Sequence, residues 1–152
     1  ALANLGGLIA GASVVPVNFH LTAEEVNYIL CDSGARVLFV GPETYDRGIE
    51  AAKNSDVHTV IGWGAPADAD LTSWDEWLAG NDPAGPDQSV PPRPNLLYTS
   101  GTTGRPKGTD LPPTMFAGGD TVDEHLVNFK AGVLERTGGQ IGTQLVVGPM
   151  YH

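Results

Sequence analysis

Four hydroxyl side chains, Thr99, Ser100, Thr102 and Thr103, fall within five positions of this chain. Gly101, Gly104 and Gly108 are interleaved with them, and Lys107 adds an ammonium with Arg105 beside it. Glycines let a backbone approach a ligand closely and adopt φ angles that other residues avoid. Backbone N–H groups, hydroxyls and one ammonium in a single short loop form a cradle for a polyphosphate. Arg93, Arg105 and Lys107 are three of only eight basic residues in a chain with net charge −10. Such a local concentration has a use where something anionic arrives. The loop is not a Walker A loop, which requires Gly, four residues, then Gly-Lys-Ser/Thr. Lys107 follows Pro106 and precedes Gly108, so the hydroxyl that would follow the lysine and bind magnesium there is missing.

No other constellation competes with this loop. His20, His58 and His125 are scattered and form no Cys/His spacing suited to zinc. Cys31 lies on the apolar side of a predicted helix and is expected in the core rather than as a nucleophile. With a single cysteine no internal disulfide forms, which agrees with a reducing, cytoplasmic setting. Neither a Gly-x-Ser-x-Gly elbow nor a Gly-x-Gly-x-x-Gly fingerprint occurs. The acidic balance, 18 Asp and Glu against 8 Lys and Arg, argues against a nucleic-acid partner and against an anionic membrane surface. The apolar stretch 1–17 is too short and too interrupted by Asn4, Gly6, Gly7, Gly11 and Pro16 for a transmembrane segment.

The elements that must position the loop alternate helix and strand. Residues 2–12 read as a helix, and 13–17 as a short buried strand. Thr22 with Glu25 forms a capping box ahead of Val26, Ile29 and Leu30, and Gly34 is a natural stop. Residues 36–40 read as a strand. A helix follows from Pro42 to about Lys53, with Tyr45, Ile49 and Ala52 facing inward. Residues 57–61 form another strand, and Ser73 with Glu76 opens a short helix carrying Trp74, Trp77 and Leu78. Strands separated by helices imply βαβ units, so the fold class is α/β with a predominantly parallel sheet and flanking helices. Seven acids and no Lys or Arg lie between Asn54 and Pro92, a solvated acidic face. The seven Gly and Pro residues from Gly80 to Pro94 mark an extended connection. The chain thus divides into a βαβ region at 1–79, the connection at 80–94 and the loop region at 95–152. In the last of these, 95–99 is a strand. Thr121 with Glu124 then caps a helix over about 122–136 with Val122, Leu126, Phe129 and Val133 inward, and 144–147 is a last buried strand. Sites in open parallel sheets form beyond the C-terminal ends of strands, where both the Thr-rich loop and Tyr151-His152 would lie.

The string Tyr98-Thr-Ser-Gly-Thr-Thr-Gly-Arg-Pro-Lys-Gly108 resembles the phosphate-binding signature of the adenylate-forming (AMP-binding) superfamily. Gly11-Ala-Ser-Val-Val-Pro-Val-Asn18, Leu21 to Leu30 and Asp32-Ser-Gly-Ala-Arg-Val-Leu38 resemble the upstream part of its acyl-CoA synthetase branch, and Gly148-Pro-Met-Tyr-His152 resembles a further family element. Thr109-Asp-Leu-Pro-Pro113 departs from the aliphatic residue and Ser/Thr-His pair usual after the loop. The resemblance implies part of the large N-terminal domain of an ATP-dependent, AMP-forming fatty-acid–CoA ligase. A carboxylate attacks the α-phosphate of ATP to give acyl-adenylate and pyrophosphate, and coenzyme A then displaces AMP. It further implies that Thr99, Ser100, Gly101, Thr102, Thr103, Gly104 and Lys107 hold the β- and γ-phosphates, with Lys107 also catalytic. Mg²⁺ would lie near Thr99 or Thr103, and His152 would gate the acyl or thiol path unless it is a structural histidine at a strand end. Alternatives are an aryl- or amino-acid-activating member of the same superfamily, or a catalytically inactive module that binds phosphate or a partner.

The chain begins without Met and stops at His152 in the middle of a strand-loop element, so it reads as an internal piece of a longer protein. The family's adenine, ribose and acid-bearing elements and its small C-terminal domain have no counterpart in these residues. Taken alone, the piece is expected to be inactive. Strand 144–147 would then present an unpaired apolar edge, which predicts self-association as a homodimer or aggregate.

Overall fold

The structure, a computed structural model, describes residues 2–82, 84–99, 105–112 and 117–140. The chain divides into two compact units, one of Ala1–Pro16, Gly85–Thr99 and Thr109–His152, the other of Val17–Ala84 and Ser100–Gly108.

The second unit is a parallel sheet with a helix against each face. Its elements are α2 (Ala23–Ser33), β1 (Val37–Val40), α3 (Tyr45–Ala52), β2 (Thr59–Gly62), β3 (Thr72–Ser73) and α4 (Trp74–Ala79). The strand order is β1-β2-β3, all parallel, with Val37 opposite Thr59 and Ile61 opposite Thr72. Successive side chains of a strand point to opposite faces. Val40 therefore meets Gly48 of α3 on one side, while Phe39 meets Trp74 and Trp77 of α4 on the other, at ring-centroid distances of 6.0 and 5.6 Å. Val26 and Leu30 of α2 and Ala51 of α3 form the core on the first face, surrounded by Val17, Leu21, Ala35, Leu38 and Val57. Ile61, at the centre of the sheet, is completely buried.

The sequence signals for α2 are realised. Glu25 N–H donates to Thr22 Oγ1 at 3.3 Å, and Thr22 N–H donates to Glu25 Oε2 at 2.8 Å. Gly34 ends the helix at φ 64°. The face that α3 buries is not the expected one. Gly48 and Ala51 are buried, whereas Tyr45, Ile49 and Ala52 are only partly so. Small residues let α3 approach the sheet closely: a Cβ on Gly48 would lie 2.4 Å from Val40 Cγ1. Cys31 is also exposed rather than in the core, and its thiol donates to the Asn54 carbonyl at 3.3 Å. The two-residue strand β3 goes unannounced in the sequence, because only its partner β2 makes Thr72–Ser73 a strand.

The capping box gives a pH-dependent prediction. The bonds from the Thr22 backbone and hydroxyl hold the Glu25 carboxyl below its ordinary value. Support from Glu25 is therefore complete above its unfolded pKa and is lost as pH falls through the lower folded one. Thr22→Ala should cost about 1 kcal/mol of stability. Glu25→Gln should flatten the acid limb of the stability profile, read by thermal denaturation between neutral and acidic pH. An unchanged acid limb would show that the box contributes nothing to it.

In the other unit, α1 (Leu2–Ile9) packs against α5 (Val122–Thr137), and β4 (Asn95–Thr99) pairs with β5 (Lys107–Leu111), of which Thr109 to Leu111 belong to this unit. Residues 13–17, expected as a strand, form no ladder. Pro16 has no N–H to contribute. The segment is held by isolated bonds instead: Leu96 N–H to the Val14 carbonyl at 3.0 Å, Val14 N–H to Asn95 Oδ1 at 3.3 Å, and the Ser13 hydroxyl to the Pro94 carbonyl. The first amides of a helix lack partners inside it. At α5, Thr121 Oγ1 accepts from Glu124 N–H, and the carbonyls of Val90 and Gln88 accept from Val122 and Asp123 N–H. Val122 and His125 are its buried residues, while Leu126, Phe129 and Val133 are only partly covered. His125 Nδ1 has no hydrogen-bond partner among the described residues. The expected strand 144–147 lies outside the described residues. No helix among them is long and apolar enough to cross a membrane.

Candidate functional site

Strand β4 delivers the chain to the Thr-rich loop, and β5 takes it away. Thr99 is the last residue of β4 and is exposed. Ser100, Gly101, Thr102, Thr103 and Gly104 lie outside the described residues, as does His152. The chain is described again at Arg105, and Lys107 is the first residue of β5. Strand β5 was not foreseen, since Lys107-Gly-Thr-Asp-Leu111 lacks the apolar alternation of a half-buried strand. Its first four residues are exposed and Leu111 is partly buried.

The two cations of the loop separate in space and in role. The Arg105 guanidinium lies over the Tyr28 ring, 5.2 Å from its centroid. The Tyr28 hydroxyl donates to the Pro106 carbonyl at 3.1 Å. Lys107 is exposed and forms no ion pair or hydrogen bond among the described residues, where the ion pair present is Lys53–Glu50. An exposed ammonium with no partner among the described residues, at the exit of a hydroxyl-rich loop, suits an anionic ligand. Among the described residues no group of three or more His, Cys, Asp or Glu side chains could hold a metal ion. A separate cleft of about 240 Å³, lined by Trp63, Pro66, Leu71 and Trp74 among others, contains none of the predicted site residues. Tyr28 was not legible as part of the site, because 78 positions separate it from Pro106.

Comparison with known proteins shows the family. The family of AMP-binding enzymes matches residues 1–112. The chain is 39% identical over 103 residues to a fatty acid–[acyl-carrier-protein] ligase of Streptomyces coeruleorubidus, covering 67% of this chain and 19% of that protein. It is 38% identical over 109 residues to a long-chain-fatty-acid–CoA ligase of Mycobacterium tuberculosis, covering 68% and 20%. Among solved structures it resembles an anthranilate CoA ligase in complex with anthranoyl-AMP, with TM-score 0.52 and 29% identity over 68% of this chain and 21% of that one. The chain thus spans about a fifth of the length of the curated relatives it matches. With a parallel α/β sheet, a loop of the expected spelling leaving β4 and a match over residues 1–112, the chain belongs to the AMP-binding enzyme family, in the acyl-CoA synthetase branch of the adenylate-forming superfamily.

Proposed function

We propose that this chain supplies the pyrophosphate-binding part of an AMP-forming carboxylate–CoA ligase, within its large N-terminal domain, and that the carboxylate is a fatty acid. The observation that carries this reading is the family match running through the loop to residue 112, together with the Lys107 ammonium, which has no ion-pair partner among the described residues. In the first half-reaction a carboxylate oxygen attacks the α-phosphorus of ATP and the bond to the β-phosphate breaks, releasing pyrophosphate. Negative charge grows on that leaving group, and donors fixed in advance around it lower the barrier. We assign this role to the backbone and hydroxyls of Thr99, Ser100, Gly101, Thr102, Thr103 and Gly104 and to the Lys107 ammonium. Mg²⁺, held by phosphate oxygens with a hydroxyl of Thr99 or Thr103 nearby, would neutralise charge on the phosphates. In the second half-reaction the thiol of coenzyme A attacks the acyl carbonyl and AMP leaves, with His152 lining the acyl or thiol path.

The test is carboxylate-dependent exchange of labelled pyrophosphate into ATP by the ligase containing these residues. Exchange that requires a fatty acid is the expected result, and cleavage of ATP to ADP would overturn the reading. The anthranilate CoA ligase likeness supports a second reading, activation of an aryl acid. A panel of fatty and aromatic acids in the same assay separates the two.

A further inference from the structure

We infer that Tyr28 is a positioning residue for the phosphate loop, latching the two residues that precede Lys107 onto helix α2 and so setting where the Lys107 ammonium stands. The inference rests on the proposed phosphate-binding role of the loop. It begins from how firmly Tyr28 is held. Ile29 and Leu30, which follow it, are each only 2% exposed. Asn27, which precedes it, donates from Nδ2 to the Ala51 carbonyl at 2.6 Å and ties α2 to α3. The N-terminus of α2 is closed by its capping box. The ring of Tyr28 therefore leaves a backbone with little freedom, and a tyrosine adds only two side-chain torsions.

Two contacts of different chemistry meet on that ring. Its face takes the Arg105 guanidinium, and its hydroxyl takes the Pro106 carbonyl. Arg105, Pro106 and Tyr28 all belong to the same compact unit. Proline has a nearly fixed φ, so fixing its carbonyl constrains the direction in which the chain continues to Lys107. The arrangement also answers what Arg105 does. It appeared in the sequence as a second cation for the phosphates, but its charge is engaged by the aromatic face, which leaves Lys107 as the free cation among the described residues of the loop.

The experiment has a structural arm and a catalytic arm. Trypsin does not cut before proline, so the Lys107–Gly108 bond reports loosening of the loop exit while Arg105–Pro106 stays silent. In the 152-residue chain, Tyr28→Phe, which keeps the ring and removes the hydroxyl, should raise the cutting rate after Lys107 by about two- to tenfold. Arg105→Gln, at an exposed position that leaves the core intact, should raise it by about two- to fivefold. Tyr28→Leu should exceed either single change, with cutting after Lys130 in α5 unchanged as reference. Equal rates after Lys107 in all variants, or equal acceleration after Lys130, would overturn the latch.

In the ligase, Tyr28→Leu should raise KM for ATP by about fivefold or more through the loss of both contacts. In a Lys107→Ala background the same substitution should change adenylate formation less than about twofold, because its effect runs through the ammonium. A full, additive loss there would show that Tyr28 acts on stability alone. If the enzyme shows no pyrophosphate exchange at all, the ligase reading falls, while the tryptic rates still decide whether Tyr28 holds the loop.

Discussion

Lys107→Ala should slow adenylate formation by about ten- to a hundredfold in the ligase that we propose, with little change in thioester formation from pre-made acyl-adenylate. The ammonium is exposed and has no ion-pair partner among the described residues, so its removal breaks no contact within them. What is lost is a charge-assisted contact to the departing pyrophosphate, worth about 1.5–3 kcal/mol. Each step of about 1.4 kcal/mol is tenfold in rate. The contact strengthens as charge develops on the leaving group, so the loss falls on the first half-reaction. Rapid-quench measurement of acyl-adenylate, beside CoA-dependent AMP release from supplied acyl-adenylate, resolves the two. An equal loss in both would assign Lys107 to thioester formation or to structure. A melting temperature unchanged from the parent protein should accompany the loss of rate.

The second large effect is on stability. Gly119→Ala should destabilise the start of α5 by about 3–5 kcal/mol, combining a strained backbone with an overlap that cannot relax. Gly119 has φ 138°, a region that L side chains rarely adopt. A Cβ there would lie 2.6 Å from His125 N and 2.9 Å from Glu124 C, backbone atoms that no rotamer change can move aside. Gly132→Ala, further along the same helix with open space around its position, is the contrast. It should stabilise by about 0.5–1 kcal/mol through lower unfolded-state entropy and better helix propensity. Denaturant melts of the two variants beside the parent chain check the pair. Similar effects of one sign would show that the conformation of Gly119 is not what it stands there for.

What could be read from residues alone were features with short-range causes. The box of Thr22 and Glu25, the stop at Gly34 and the Thr121 cap are completed within one helical turn, so four or five residues contain all the information. The runs of β-branched and aromatic residues at 37–40 and 59–61 name strands in the same way. The helix between them implied the parallel pairing that β1 and β2 adopt. The loop was legible as a candidate phosphate site because its hydroxyls, glycines and lysine lie in consecutive residues, and the family match extends through it.

Tertiary structure decided what depends on partners far away in the chain. Which face of α3 is buried follows from how closely Val40 can approach, and the smallness of Gly48 counts for more than the apolar character of Ile49. Cys31 stays exposed because the sides of α2 that are covered carry Val26, Ile29 and Leu30. His125 is buried although polar, on the same turn of α5 as the buried Val122 and with the backbone at Gly119 close to its own. Residues 13–17 have the composition of a strand, yet they form no ladder: Pro16 cannot donate, and β4 takes β5 as its partner. The division of labour between Arg105 and Lys107 depends on a tyrosine 77 positions before the arginine. Charge and spelling made the two cations look alike, and only the fold told them apart, by bringing the Tyr28 ring beneath Arg105 and leaving Lys107 exposed.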